Sequence, residues 1–136
     1  MRRFRRAIPL IVLALLACSA PRRPRPNAAK PRVVSFSPAL TDLLFDMGLG
    51  DHVVGVTAFC EPGELPEAPM IVGDAENVST EGLLAAEADV ILAQSDPKLF
   101  EGVRRADADV RIEQIDIERL ADIAAAMERI GDLLGK

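Results

Sequence analysis

The sequence predicts a single α/β lobe, built on a mostly parallel sheet with flanking helices, over residues 32–136. Three observations lead there. Short apolar runs alternate with stripes of helical period along this whole stretch. Val33-Val34-Phe36 and Val90 to Ala93 are apolar at nearly every position, as strands covered on both faces require. The segments between the runs are long enough to cross over to parallel neighbours. About a hundred residues can bury one core, and no internal repeat divides them.

The elements follow in order. Val33 to Phe36 is the first strand. Ser37 and Pro38 read as N-cap and first helical residue, because a hydroxyl can accept from an orphan amide and proline has no N–H to leave unsatisfied. Leu40, Leu43, Leu44 and Met47 then hold one stripe, and Gly48 and Gly50 can take the left-handed conformation that ends the helix. Val53 to Val56 is the second strand. Thr57 to Pro69 carries Pro62, Pro66 and Pro69, which argues against a long helix there. Met70 to Val72 is a short third strand, and Ser79 or Thr80 caps a helix holding Leu83 and Leu84. Val90 to Ala93 is the fourth strand. Asp96-Pro97 starts a helix with Leu99, Phe100 and Val103 inward, and Val110 to Ile115 is the fifth strand. Asp116 caps the last helix, whose Leu120, Ile123, Ala124, Met127, Ile130 and Leu134 hold one stripe.

Ligands of such sheets meet the carboxyl ends of the strands. Here those ends are Ser37-Pro38, Thr57 to Glu61, Gly73 to Asn77 and Gln94 to Asp96, four loops forming one rim. Asp74 and Ser95 are its polar candidates beside Ser37 and Pro38. Ser37 can offer its hydroxyl and helix-start amides to an anionic group, although capping alone also explains it.

The ordered string from Arg32 to Ala93, RVVSFSPALTDLLFDMGLGDHVVGVTAFCEP, then MIVG, then ENVSTEGLLAAEADVILA, resembles the N-terminal lobe of the periplasmic substrate-binding proteins that deliver cobalamin, ferric siderophores or haem to ABC importers. The resemblance implies two such lobes joined by one long helix, with the ligand between. This chain stops at Lys136, so the second lobe is expected to be absent, and the sequence reads as a fragment or truncated frame in preference to a short relative acting with another chain. It also implies a small-molecule metal chelate or corrinoid as ligand, the ABC permease subunits as partners, and no resident cofactor. Phe59 sits where the family commonly places an aromatic that packs on the ligand, and a flat ring suits a corrin, porphyrin or catecholate face; otherwise it covers the edge of the core. The family often has further Tyr or Trp in the loops after the second and third strands, where this chain has Glu61-Pro62 and Asp74-Ala75. Glu81 aligns with the acidic residue of the family's Asn-Leu-Glu segment, here Ser79-Thr80-Glu81, which docks onto a permease arginine. It is expected away from the rim, where it also acts as a first-turn carboxylate on the helix dipole.

Residues 1–17 read as a signal peptide, with a basic start at Arg2, Arg3, Arg5 and Arg6 and an apolar run, Ala7 to Ala17, shorter than the ~20 residues a spanning helix needs. Leu15-Leu16-Ala17-Cys18 resembles the lipobox of bacterial lipoproteins, which implies an exported protein anchored to a membrane by lipid on Cys18. Residues 18–31 then form a Pro/Arg-rich linker with four prolines, an extended spacer reaching at most about 40 Å at ~3.1 Å per residue.

After Arg32, seven Lys and Arg oppose 21 Asp and Glu, a net charge of −14. That sign excludes nucleic-acid binding. With Cys18 lipidated, Cys60 is a lone thiol that can form neither an internal disulfide nor a metal site; it reads as a partly buried loop residue, or as one that pairs with something outside this chain. His52 is the only histidine, at a strand entry opposite the rim, so no imidazole cluster exists to bind bare metal. No GxGxxG, P-loop or GxSxG is present, and no second histidine could serve as a base, so the chain does not read as an enzyme. The alternatives to a transport role are a membrane-tethered α/β lipoprotein binding a protein partner, and an α/β enzyme fragment.

Overall fold

The computed structural model describes residues 30–74 and 76–136. The signal peptide, Cys18 and nearly all of the linker lie outside the described residues, as does Ala75. Five parallel strands form one sheet: β1 (Val33–Phe36), β2 (Val53–Val56), β3 (Met70–Ile71), β4 (Val90–Ala93) and β5 (Arg111–Gln114), in the spatial order β3-β2-β1-β4-β5. Among the described residues four α-helices flank it: α1 (Pro38–Asp46), α2 (Thr80–Ala85), α3 (Glu101–Ala106) and α4 (Leu120–Leu134). No described helix is long and apolar enough to cross a membrane.

The central strands β1 and β4 are buried throughout because each of their faces meets helices. Val33, Val90 and Leu92 pack on one face against Leu40, Leu43 and Leu44 of α1 and Ala126, Ile130 and Leu134 of α4. Val34, Phe36, Ile91 and Ala93 face the other way, onto Leu83 and Ala86 of α2 and Val103 of α3. The period of two along β1 and β4 thus distributes one apolar run between two cores. Phe36 and Phe100 meet edge to face, ring centroids 5.1 Å apart and planes at 87°.

The mostly parallel lobe and all five strands appear as the sequence predicts, with local differences. Ser37 stands at the N-cap of α1 in extended conformation (φ −159, ψ 136), but its hydroxyl takes no helix amide; it donates to Gln94 Oε1 instead. Gly48 does end α1 with φ 67, whereas Gly50 opens a 3-10 turn, Gly50–His52, where a Cβ would sit 2.9 Å from the Phe45 ring. The third strand is two residues, and Ile71 is 59% exposed because β3 is a sheet edge. Ser79 is the cap of α2, accepting from the Gly82 amide at 3.0 Å.

After Asp96, a 3-10 turn (Pro97–Phe100) precedes α3, and that tighter winding leaves Leu99 43% exposed while Phe100 and Val103 point inward. Asp116 does not cap α4. The Asp122 carboxylate does, reaching back to accept from the amides of Glu118 (3.1 Å) and Arg119 (2.9 Å), so the helix starts at Leu120. The buried stripe is Ile123, Ala126, Ile130 and Leu134, one edge of the broad apolar face, and Leu120, Ala124 and Met127 face outward, Leu120 87% exposed. Glu113 of β5 is tied to α4 by Arg129, 2.7 Å away, which holds the carboxyl below the usual carboxylate range.

Candidate ligand-binding rim

Because all five strands run the same way, their carboxyl ends share one edge. Phe36 and Ala93 are register partners, so Ser37 and Gln94 are the first residues beyond a paired rung. The strand order reverses between β1 and β4, which makes this the point where a doubly wound sheet opens a crevice.

Hydrogen bonds join the rim loops in one chain. Gln94 binds Ser37, as above. The Ser35 hydroxyl donates to the Ser37 carbonyl at 3.1 Å, and the Thr41 hydroxyl, on the first turn of α1, lies 2.8 Å from Ser35 Oγ and 3.2 Å from Cys60 Sγ. Cys60 Sγ is also 3.1 Å from Thr57 Oγ1, and its amide donates to the Thr57 carbonyl at 3.1 Å. Ser35, Thr41, Thr57 and Cys60 are all buried. Next along the loop, the Ala58 amide donates to the Gly73 carbonyl at 2.9 Å, which links the loop after β2 to that after β3. Phe59 stands at the tip of this braced turn, 68% exposed. Thr57 and Cys60, which bracket the turn, are buried, and Ala58 and Phe59 between them are exposed.

Asp74 is on the rim but serves its own loop. Its Oδ1 accepts from the amides of Glu76 (2.9 Å) and Asn77 (2.7 Å), and Asn77 Nδ2 donates to both carboxylate oxygens at 3.0 and 3.1 Å. The Glu76 amide, then the Asn77 side chain and amide, hold its carboxyl below the usual carboxylate range. Pro38 is exposed and Ser95 half-buried, each beside the Ser37–Gln94 contact in sequence.

The structure therefore brings Ser37, Pro38, Phe59, Asp74 and Ser95 to one edge of the sheet. Glu81 belongs to the same end rather than away from it, since a helix following a parallel strand starts at that strand's carboxyl end. Ser79, two residues before Glu81, donates its amide to the carbonyl of Val72 at 3.0 Å. Glu81 itself is exposed. His52 lies at the opposite end, its Nδ1 2.9 Å from the Pro31 carbonyl. That end also has a groove of about 500 Å³, formed where Leu65 to Pro69 straps across Val53, Val54 and Met70.

Two features escaped the sequence reading. Gln94 was visible only as a loop residue, and nothing in its spacing marks it as Ser37's partner. The buried hydroxyl and thiol cluster involves four residues from three elements, a coincidence of tertiary structure. Among the described residues no group of three or more His, Cys, Asp or Glu is placed to hold a metal ion.

No protein-family profile matches the sequence. The chain is similar to curated vitamin B12-binding proteins of Yersinia pestis (strain Pestoides F), 33% identical over 88 residues, 65% of this chain and 29% of the relative. A Yersinia pseudotuberculosis vitamin B12-binding protein (serotype O:1b) is 37% identical over 68 residues, 50% of this chain and 24% of the relative. The chain thus spans less than a third of the curated relatives it matches. Among solved structures, a periplasmic heme binding protein from Pseudomonas aeruginosa superposes with a TM-score of 0.67 at 23% identity, over 78% of this chain and 39% of that one. The periplasmic vitamin B12 binding protein of Vibrio cholerae gives 0.62 at 23% identity, over 76% of this chain and 41% of that one. At such identity these structures share the fold. The relatives carrying these names are binding proteins, and the resemblance read from the sequence stands.

Proposed function

We propose, from the premise of that shared fold, that this chain supplies one face of a carrier delivering a chelated metal or tetrapyrrole, whether cobalamin, a ferric siderophore or haem, to an ABC importer. The observation that carries the reading is Phe59, an exposed aromatic ring on a braced turn at the strand-end rim of a parallel sheet. A flat apolar ring held in water is poised to cover the face of a flat ligand, and the curated relatives of the segment bearing this fold are named for vitamin B12. Ser37, Pro38, Asp74 and Ser95 would line the same face. Glu81 would meet a cationic group of the permease, where a carboxylate contributes orientation and encounter rate more than affinity.

These roles separate in different assays. Phe59→Ala should weaken binding of cyanocobalamin, haemin or a ferric siderophore by the ~0.5 to 3 kcal/mol of a lost aromatic contact and its buried area. Glu81→Arg should leave that affinity nearly unchanged and lower uptake in the native host, because like charges would then face each other across the docking contact. Loss of ligand binding in Glu81→Arg, or normal binding and uptake in Phe59→Ala, would show the roles misassigned.

The domain organisation proposed with this function is a signal peptide over residues 1–17, a lipid-anchored linker over 18–31 and the α/β lobe over 32–136, the protein being exported to the periplasm or cell surface. Acyl chains on Cys18 would supply far more membrane affinity than the linker's arginines. Cys18→Ser should therefore move the protein from the detergent phase to the aqueous phase, or leave it unprocessed. Equal partitioning of the two forms would refute the anchor.

A further inference from the structure

The polar contact at the point of strand reversal has chemistry of its own. Ser37 has its hydroxyl turned from the helix amides it could cap and directed to Gln94 Oε1. That occupies the acceptor of the Gln94 amide and leaves Nε2, which meets no acceptor among the described residues. Among those residues Arg32 Nε is the buried side-chain nitrogen or oxygen without a partner, so Gln94 Nε2 is open to solvent. The rim thus presents a fixed pair of neutral N–H donors beside the β1/β4 crevice. Around it the loops bear four carboxylates, Glu61, Asp74, Glu76 and Asp96, against one cation, the exposed Lys98. An anionic fringe would meet repulsion there, and a neutral oxygen acceptor would not.

We infer that Gln94, held by Ser37, is a specificity-determining donor of this rim, and that the rim takes a neutral, amide-fringed metal chelate, as a corrinoid is, in preference to a carboxylate-bearing porphyrin. The inference rests on the transport reading and narrows its ligand. Ser37 is then a positioning residue, aligning the amide that meets an amide carbonyl of the ligand.

Gln94 and Gln114 are the two glutamines of the sequence, and Gln114 Nε2 already donates to Asp116 at 3.1 Å. Side-chain amide resonances of the ¹⁵N-labelled chain therefore provide a reporter and an internal control. Titration with cyanocobalamin should shift the Gln94 pair and leave the Gln114 pair in place. Gln94→Leu and Gln94→Glu should each weaken cyanocobalamin binding roughly two- to twelve-fold, the net worth of one hydrogen bond. Gallium protoporphyrin and gallium-loaded desferrioxamine, both diamagnetic, should bind roughly tenfold or more weakly than cyanocobalamin, the porphyrin because its carboxylates face those of the rim. Cyanocobalamin binding with the Gln94 pair unmoved and both variants unchanged would overturn the role of Gln94 while the transport reading stands. Tighter binding of the porphyrin or the hydroxamate would overturn the preference for a neutral, amide-fringed ligand, again leaving transport intact. Because one face alone should bind weakly, absence of any resonance shift with all three even at millimolar ligand would overturn both.

Discussion

Phe100→Ala should cost about 3–5 kcal/mol of folding stability, the range for deleting a fully buried phenylalanine ring. Phe100 has no exposed surface, and its ring meets Phe36 edge to face at 5.1 Å, so truncation loses both the transfer of apolar area and an oriented aromatic pair. It sits among Leu83, Ala86, Ile91 and Val103 in the core between the sheet and α2 and α3. A small domain commonly has ~5–15 kcal/mol in total, so urea unfolding followed by circular dichroism should show a midpoint lowered by a large fraction of its original value. The loss should also reach the rim, because Phe36 ends β1 immediately before Ser37. A change under about 1 kcal/mol would mean that this core closes over the gap, contrary to the packing described.

Gly73→Ala should be the most disruptive single change among the rim loops. Gly73 has φ +139, a conformation that L side chains rarely adopt, and an added Cβ would lie 2.2 Å from the Asn77 carbonyl oxygen and 3.2 Å from the Ser79 nitrogen. Both neighbours are backbone, so no side chain can swing aside. The Asn77 carbonyl must also stay in place to accept from the Asp74 amide at 2.9 Å. Backbone strain at one residue costs of order 1–3 kcal/mol, and displacing the loop adds the bonds it makes. The cost should be ~2–4 kcal/mol. Hydrogen exchange offers a local readout: the Ala58 amide, which donates to the Gly73 carbonyl, should lose protection before amides of β4 do. Unchanged exchange at Ala58 would show that the loops after β2 and β3 are not mechanically joined.

Legibility in the sequence followed the range of the forces involved. The strands were readable because burial on both faces writes itself into consecutive apolar residues, as in Val90 to Ala93, and the start of α1 because proline fixes its first turn locally. The start of α4 was misread at Asp116 because Asp122 competes for the same job from inside the helix, and only the direction of its carboxylate decides between them. The placement of Leu120, Ala124 and Met127 is a separate matter: the apolar stripe of α4 is broad, and packing against the sheet uses only the edge that carries Ile123, Ala126, Ile130 and Leu134. Glu87 shows another limit: it takes a left-handed conformation (φ 47) just after α2, at a position where no glycine advertises a turn. On the rim, Phe59, Asp74 and Ser95 could be placed by strand topology alone. The Ser37–Gln94 contact could not, because it joins residues 57 apart through side-chain rotamers.

The thiol beneath the aromatic turn has a kinetic consequence. Cys60 is buried, and its sulfur is engaged by hydroxyls of Thr41 and Thr57 while the residue before it projects into water. An oxidant or alkylating reagent in solution can reach that sulfur only after the turn has lifted, and lifting it releases Phe59 from its outward posture. With reagent concentrated enough that labelling outpaces reclosing, the rate at which the thiol reacts becomes the rate at which the aromatic platform abandons its shape, so a single covalent label, applied over time, clocks the rim's breathing from the inside.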